Sequence, residues 1–185
     1  MADFLAPQTH SQKDYLGAFA VTVGIGVDEL VERYEHDGDD YHAIMVKVLA
    51  DRLVEAFAEL LHLRVRNEWG YVSDTAMKQE DLLAERYQGI RPAFGYPACP
   101  DHSEKFKLIE LLDANKIGIN LTDSASMNPA ASVSGLYFSH PQAKYFTVGH
   151  IGQDQVKRYA DRKGLPLEDV ERWLATNIAY KNVNN

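Results

Sequence analysis

The longest run of helical periodicity in the sequence lies between Asp39 and Gly70. Apolar side chains recur there every three or four residues, which is typical of one face of an α-helix. Acids at the start of the run and arginines near its end agree with the helix macrodipole. The pattern predicts one helix of about 30 residues, about 45 Å long at 1.5 Å per residue. The apolar positions are Tyr41, Ile44, Met45, Val48, Leu49, Leu53, Phe57, Leu60, Leu61 and Val65.

Segments rich in β-forming residues precede and follow this helix. Asp14 to Gly24 predicts a buried strand, since it is rich in β-formers and ends between glycines, although a helix could overlap it. Three more strands are predicted at 116–122, 132–138 and 144–150, separated by the turn-forming sequences SMNPA and SHPQ. We therefore expect the α+β class, with a twisted, mainly antiparallel sheet flanked by helices that include the long one.

Shorter helices are predicted on both sides of the later strands. They lie at 78–87, at 153–163 and at 166–175, and another begins at about residue 101, where a loop ends. A chain of 185 residues is long enough for one well-buried domain and short for two. We expect a single domain over residues 1–181 and a frayed tail at 182–185.

Composition and charge exclude several classes of function. A formal net charge of −8 and a pI near 5.3 are unsuited to nucleic acid or an anionic membrane, because neutralising phosphates requires clustered Lys and Arg. Cys99 is the single cysteine, so no internal disulfide can form. No apolar run approaches the roughly 18 residues that span a bilayer, and the first residues lack a signal peptide's apolar core. We expect a cytoplasmic protein without nucleic-acid or membrane partners.

The stretch RPAFGYPACPDHSEK, from Arg91 to Lys105, contains three of the seven prolines. Proline fixes φ and removes a backbone donor, so the stretch predicts a rigid, irregular loop. Asp101 and Glu104 resemble a capping box, which places a helix start at the end of the loop. Because Arg91 precedes a proline, its backbone is held extended. Its guanidinium, beside backbone amides freed by Gly95, is a candidate carboxylate clamp.

Other chemistry has little support in the residue pattern. The sequence has no HExxH, Walker or CxxC motif, and GIGVDE lacks the last glycine of GxGxxG. The seven histidines are scattered, so no metal site is expected. Cys99 with His102 could form a thiol nucleophile near a helix N-terminus, as in a cysteine-dependent hydrolase, or Cys99 could be an inert packed residue.

Several polar and aromatic residues outside the loop have ordinary structural interpretations. Glu55, with Asp51 and Glu59 at four-residue spacing, could belong to a solvated acidic face of the long helix. Tyr145 and Phe146 could be the core or edge aromatics of a strand. Spacing alone favours these structural roles over ligand binding.

Longer motifs carry a family resemblance. RPAFGYPACPDHSEK resembles the proline-rich loop of the C-terminal reactivation domain of cobalamin-dependent methionine synthase. ADFLAP, DYLGAFAVT, HDGDDY, IMVKVLADRLVEAFAE, YQGIRPA, ASVSGLYFSHP and VERWLA resemble that domain in the same order and cover nearly the whole chain. The chain is identified on these motifs as similar to that family.

The resemblance implies a function that composition does not. In that family the domain binds S-adenosylmethionine and presents its methyl group to cobalamin when the cofactor has been oxidised to cob(II)alamin. An electron from flavodoxin or an equivalent reductase accompanies the transfer. The parent enzyme is a methyltransferase that makes methionine from homocysteine and methyltetrahydrofolate. The implied partners are therefore its cobalamin-binding domain and the reductase, and this chain alone is not expected to be catalytic.

The resemblance also implies a ligand-binding set. Arg91 would pair with the methionyl carboxylate, and Tyr96 would face the corrin or the sulfonium. Tyr145 and Phe146 would line the adenosyl side, and Glu55 would contact the ligand from the long helix. A zwitterionic ligand with a cationic sulfur is suited by one fixed cation, acids and aromatic faces. The full set is Glu55, Arg91, Ala93, Gly95, Tyr96, Tyr145 and Phe146.

The chain departs from the family pattern in its extent. The family's domain has a further N-terminal segment, with an aspartate that contacts the ligand, which we expect this chain to lack. The homocysteine, folate and cobalamin domains are also outside it, together with their zinc site and cobalt-ligating histidine. An alternative function follows, namely a protein-interaction fragment that docks flavodoxin or the cobalamin domain without competent ligand binding.

Overall fold

The computed structural model of the chain describes residues 1–70 and 78–180. Its helices are α1 (Val27–His36), α2 (Asp40–Trp69), α3 (Gln79–Leu83), α4 (Glu104–Leu111), α5 (Gln153–Lys163) and α6 (Leu167–Trp173), with short 3-10 helices at Ala2–Phe4 and Ala114–Ile117. Its strands are β1 (Gly17–Thr22), β2 (Asn120–Leu121), β3 (Met127–Asn128) and β4 (Ser132–Tyr137). The α+β class is confirmed, and the predicted tail at 182–185 lies outside the described residues.

The main sheet joins distant parts of the chain. β1 and β4 pair antiparallel, with Gly17 opposite Tyr137 and Thr22 opposite Ser132. A second antiparallel pair is formed by β2 and β3. The strands predicted at Asp14 to Gly24 and at 132–138 are confirmed. None of the described helices is long and apolar enough to cross a membrane.

Helix α2 has the predicted length and ends. The Asp39 carboxylate accepts a hydrogen bond from the backbone N–H of His42 at 3.1 Å, which satisfies a donor that the first turn leaves free. Gly70 follows the helix with φ 72°, the left-handed conformation that glycine adopts without steric penalty. Local signals therefore determine where this helix begins and ends.

The buried face of α2 differs from the one that its large apolar residues predict. Leu49, Leu53 and Leu60 are 54, 56 and 54% exposed. The helix instead packs on the sheet through small residues, which allow β1 and β4 to come close to its axis. The buried positions are Ala43, Ala50, Val54, Ala58, His62 and Arg66.

Three clusters form the apolar core. The largest lies between α2 and the main sheet and includes Phe19, Val21, Val54, Ala58 and Tyr137. A second joins α5 to α6 through residues such as Val156 and Val170. A third packs α4 against the turn that follows it, around Ile109 and Ile119. In the chain, the proline-rich loop lies between α2 and β4, two elements of the first cluster.

Two predicted strands are corrected. Residues 144–150 form no strand, and the main-chain contact found there is the Val148 N–H donating to the Pro97 carbonyl at 2.9 Å. Proline has no N–H, so this contact cannot extend into a ladder of reciprocal bonds. The segment 116–122 is a strand only at Asn120–Leu121, because a 3-10 turn occupies its first residues.

The predicted capping box is also wrong. Helix α4 begins at Glu104, and its N-cap is Ser103. The Asp101 carboxylate accepts hydrogen bonds from the Ser103 N–H at 2.8 Å and from Tyr159 of α5 at 2.7 Å. Lys163 ion-pairs with the same carboxylate. The Asp101 carboxylate therefore binds residues of α5, whereas local spacing had assigned it to the start of α4.

Candidate functional site

The proline-rich loop is held to the edge of β4. The Leu136 N–H donates to the Pro92 carbonyl at 3.0 Å, and Ile90 exchanges backbone hydrogen bonds with Phe138. Further on, the Gly95 N–H donates to the Cys99 carbonyl at 2.7 Å, which closes a tight turn. The rigid loop predicted from the prolines is therefore built as an extension of the sheet edge, followed by a turn.

Gly95 has a structural reason for being glycine. Its φ is +90°, a conformation that L side chains rarely adopt. A Cβ at this position would lie 2.1 Å from Cε1 of His102, which is far inside van der Waals contact. The residue is absent from the cavity walls described below, so its effect on the site is to let the loop turn against His102.

A cavity of about 440 Å³ opens beside this loop, and its walls come from five separate parts of the sequence. Six of the seven residues in the predicted ligand-binding set line it. They are Glu55 from α2, Arg91, Ala93 and Tyr96 from the loop, and Tyr145 and Phe146 from the irregular segment before α5. Phe19 and Val133 of the sheet complete the wall between them. The fold thus brings together members of the predicted set that are up to 91 positions apart.

A second cavity of about 520 Å³ adjoins the first. The two share Glu55, Ala93, Tyr96 and Val133 as lining residues. Its other walls carry charged and hydroxyl side chains, whereas the first cavity is lined mainly by apolar and aromatic groups. The charged and hydroxyl residues include Asp51, Arg52, Lys105, Ser132 and Ser134. Together the two cavities offer aromatic, apolar, charged and hydroxyl groups to one ligand.

Arg91 is the fixed cation of the site. Its side chain is only 16% exposed, and its Nη2 lies 2.7 Å from Oε2 of Glu59 on α2. Its Nη1 donates a hydrogen bond to the Tyr87 hydroxyl at 2.8 Å. Its backbone N–H donates to the Tyr145 hydroxyl at 3.0 Å. The guanidinium is therefore anchored by other residues of the protein, which the sequence does not reveal.

Glu59 corrects the interpretation of the acidic face on α2. The spacing of Asp51, Glu55 and Glu59 predicts a solvated row, but the Glu59 side chain is 23% exposed and ion-paired with Arg91. Glu55 lines both cavities. Two acids of this row therefore have different surroundings, since Glu55 borders the cavities and Glu59 binds Arg91.

Two polar residues on the buried face of α2 were missed by sequence reasoning. His62 and Arg66 are both fully buried. The Arg66 Cζ lies 3.6 Å from the centroid of the Tyr87 ring, and the His62 ring stacks on Tyr137 with centroids 5.1 Å apart. A signal was present, since these residues continue the four-residue spacing of Val54 and Ala58 along the helix.

Cys99 does not have the environment of a nucleophile. Burial raises the pKa of its thiol, so the thiolate is disfavoured at neutral pH. His102 packs against Gly95, and burial lowers the pKa of its imidazole. Within residues 1–70 and 78–180, no three His, Cys, Asp or Glu side chains gather in a metal-binding arrangement. The hydrolase interpretation therefore gains no support from the geometry.

Two comparisons with known proteins bear on this cavity. The family described as vitamin B12 dependent methionine synthase, activation domain, matches residues 1–164. A crystal structure of the MetH reactivation domain bound to AdoHcy is 55% identical in sequence and superposes with a TM-score of 0.94. The superposition covers 97% of this chain and 56% of that one, so the chain spans a little over half the length of its solved relative.

Proposed function

Because the chain belongs to the activation-domain family of vitamin B12-dependent methionine synthase, we propose that it is an S-adenosylmethionine-binding reactivation module. The observation that carries the proposal is the cavity beside the proline-rich loop, lined by six of the seven residues that the family resemblance implies. A relative 55% identical in sequence is described as bound to AdoHcy, the product of methyl transfer from this ligand. The parent enzyme is a cytoplasmic methyltransferase, and this chain alone has no turnover.

The lining residues suit the ligand group by group. Arg91 offers a planar cation for the methionyl carboxylate, with geometry that can bind both oxygens. Glu55 offers a carboxylate between the two cavities to the ligand's amino group or its sulfonium. Tyr145 and Phe146 offer aromatic faces on the adenosyl side. Ala93 leaves space beside the loop, and Gly95 shapes the turn behind it.

Methyl transfer requires that the sulfonium be presented to a second domain. Cobalamin held by that domain would supply the metal that takes up the methyl group, with one electron from flavodoxin or an equivalent reductase. Tyr96 is 61% exposed and lines both cavities, so it lies where the ligand meets the surface. Held between Gly95 and Pro97, its ring can pack on a flat partner at small entropic cost. The chain's contribution is binding and orientation.

Calorimetric titration with S-adenosylhomocysteine tests the proposal, because this ligand binds without transferring a methyl group. We expect saturable heat for the wild type, and a loss of about 30- to 150-fold in affinity for Arg91→Ala, since a charge-assisted contact contributes about 2–3 kcal/mol. Arg91→Lys is also expected to bind more weakly, because an ammonium lacks the planar fork.

The control and the alternative follow from the same titration. Arg158→Ala removes an exposed arginine of α5 whose partner is Asp154, and it is expected to leave the affinity unchanged. Absence of binding by the wild type at millimolar ligand would contradict the proposal. That result would favour the interaction fragment, which docks flavodoxin or the cobalamin domain without holding S-adenosylmethionine.

A further inference from the structure

Arg91 is held by two residues that are outside the cavity walls. Glu59 contacts Nη2 and the Tyr87 hydroxyl contacts Nη1, at 2.7 and 2.8 Å. Neither residue lines the cavity that Arg91 borders. Two contacts on different terminal nitrogens define the plane of a guanidinium, because rotation about the Nε bond would break both. The arginine is thus oriented from behind.

Tyr87 is itself held in place. The Arg66 guanidinium lies over its ring at 3.6 Å, and the His62 ring forms a T-shaped pair with it, with centroids 5.4 Å apart. Arg66 and His62 are fully buried on α2, so neither can move without disturbing the core. Burial raises the pKa of Tyr87 to about 12, so its hydroxyl is neutral at physiological pH. The ring and the hydroxyl therefore have one orientation relative to α2.

We propose that Tyr87 is a positioning residue for ligand binding, which acts by fixing the Arg91 guanidinium and is itself fixed by Arg66. The inference rests on the proposed function and adds to it a residue that does not touch the ligand. A long arginine side chain loses rotational freedom about several bonds when it binds a carboxylate, and this loss is an entropic penalty. Ordering the side chain in advance reduces that penalty. Tyr87 supplies this order from outside the cavity.

Glu59 is a poorer test of positioning than Tyr87. Its carboxylate is negative, so it both orients Arg91 and repels the carboxylate of a ligand bound to the same guanidinium. Removing it would change two opposing effects together. Tyr87→Phe removes only the hydroxyl and keeps the ring under Arg66, so it isolates the orienting hydrogen bond.

The experiment compares two ligands that differ in the amino-acid group. S-adenosylhomocysteine carries the carboxylate, whereas 5′-methylthioadenosine has the same adenosyl thioether without it. We expect Tyr87→Phe to weaken S-adenosylhomocysteine binding about tenfold, as for one lost hydrogen bond to a charged group. Its affinity for 5′-methylthioadenosine should change less than twofold. Tyr180→Phe, which removes a hydroxyl bonded to Glu171 outside the site, is the matched control.

A double-mutant cycle separates positioning from a general structural effect. In an Arg91→Ala background, Tyr87→Phe should no longer change the affinity for S-adenosylhomocysteine. If it still weakens binding tenfold there, or weakens both ligands equally, Tyr87 acts through the fold and the inference is overturned. If Tyr87→Phe binds S-adenosylhomocysteine as tightly as the wild type does, the inference is also overturned, while the proposed function stands.

A second variant covers the case in which Tyr87→Phe does not fold. Arg66→Lys keeps the buried charge but cannot stack as a plane on the Tyr87 ring. We expect it to weaken S-adenosylhomocysteine binding about threefold and to leave 5′-methylthioadenosine unaffected. If the variant binds each ligand as tightly as the wild type does, the role of Arg66 is contradicted. Failure of the wild type to bind either ligand would overturn the proposed function and this inference together.

Discussion

His62 shows how much one buried side chain can determine. It is fully buried on α2. Its ring stacks on Tyr137 and forms a T-shaped pair with Tyr87. Burial, and then the charges of Arg66 and Arg91, lower the pKa of its imidazole from 6.5 to about 3. The folded protein therefore keeps this histidine neutral above about pH 3.

The depressed pKa predicts acid sensitivity. Between pH 6.5 and 3 the unfolded chain binds a proton on His62 and the folded chain does not, so the free energy of unfolding falls as the pH falls through this window. The loss is about 1.4 kcal/mol per pH unit, or about 2 kcal/mol between pH 6.5 and 5. Urea unfolding of the wild type and His62→Phe at pH 7, 6 and 5 measures it.

The variant is expected to show a shallower pH dependence than the wild type. Phenylalanine keeps the stacking on Tyr137 and removes two ring nitrogens that have no hydrogen-bond partner among the described residues. The difference between the two slopes isolates His62 from every other titrating group. Identical slopes would show that the imidazole binds protons equally in the folded protein and in the unfolded chain.

At the scale of elements, α2 presents two faces with opposite roles. Ala50, Val54 and Ala58 are at most 4% exposed and lie against the main sheet. Leu53, on the other face, is 56% exposed although it is the larger side chain. Apolar periodicity predicted the helix correctly but not its orientation, because periodicity marks which residues share a face and carries no information on what that face meets.

This orientation predicts unequal costs of substitution. Leu53→Ser should lower the free energy of unfolding by less than about 1 kcal/mol, since the side chain is mostly in water. Ala58→Leu should lower it by about 1–3 kcal/mol, because the added atoms have no room between helix and sheet. Chemical denaturation of both variants measures the difference. If Leu53→Ser costs as much as Ala58→Leu, the exposed face is covered, and light scattering would then show whether a second copy covers it.

At the scale of the whole molecule, the cavity is an assembly of distant segments. The proline-rich loop is bonded to β4 on one side, and on the other Asp101 pairs with Lys163 of α5. The solved relative described as bound to AdoHcy has a longer chain, of which this one covers 56%. The family resemblance implies that an aspartate from an additional segment also contacts the ligand.

We therefore expect a longer version of the domain to bind more tightly than this chain. A polypeptide that includes the family's additional segment should bind S-adenosylhomocysteine tenfold or more tightly, because one contact to a charged ligand group contributes about 1.5–3 kcal/mol. Parallel calorimetric titrations of the two polypeptides measure the ratio. Equal affinities would show that these 185 residues contain all the contacts that matter.

What the sequence by itself determined was mostly local. The limits of α2 follow from a capping aspartate and a terminal glycine, and the irregular loop follows from its prolines. These signals act within a few residues of each other, so they can be read in order along the chain. The family resemblance rests on the same kind of contiguous motif, and it identified six residues that the fold places around one cavity.

Tertiary structure decided what depends on segments far apart in the chain. The pairing of Arg91 with Glu59, the exposed leucines of α2 and the irregular path of residues 144–150 all arise where distant elements meet. A carboxylate on a helix reads as solvated until another segment brings a guanidinium beside it. Burial and ion pairing belong to contacts between segments, and for that reason neither spacing nor composition could assign them.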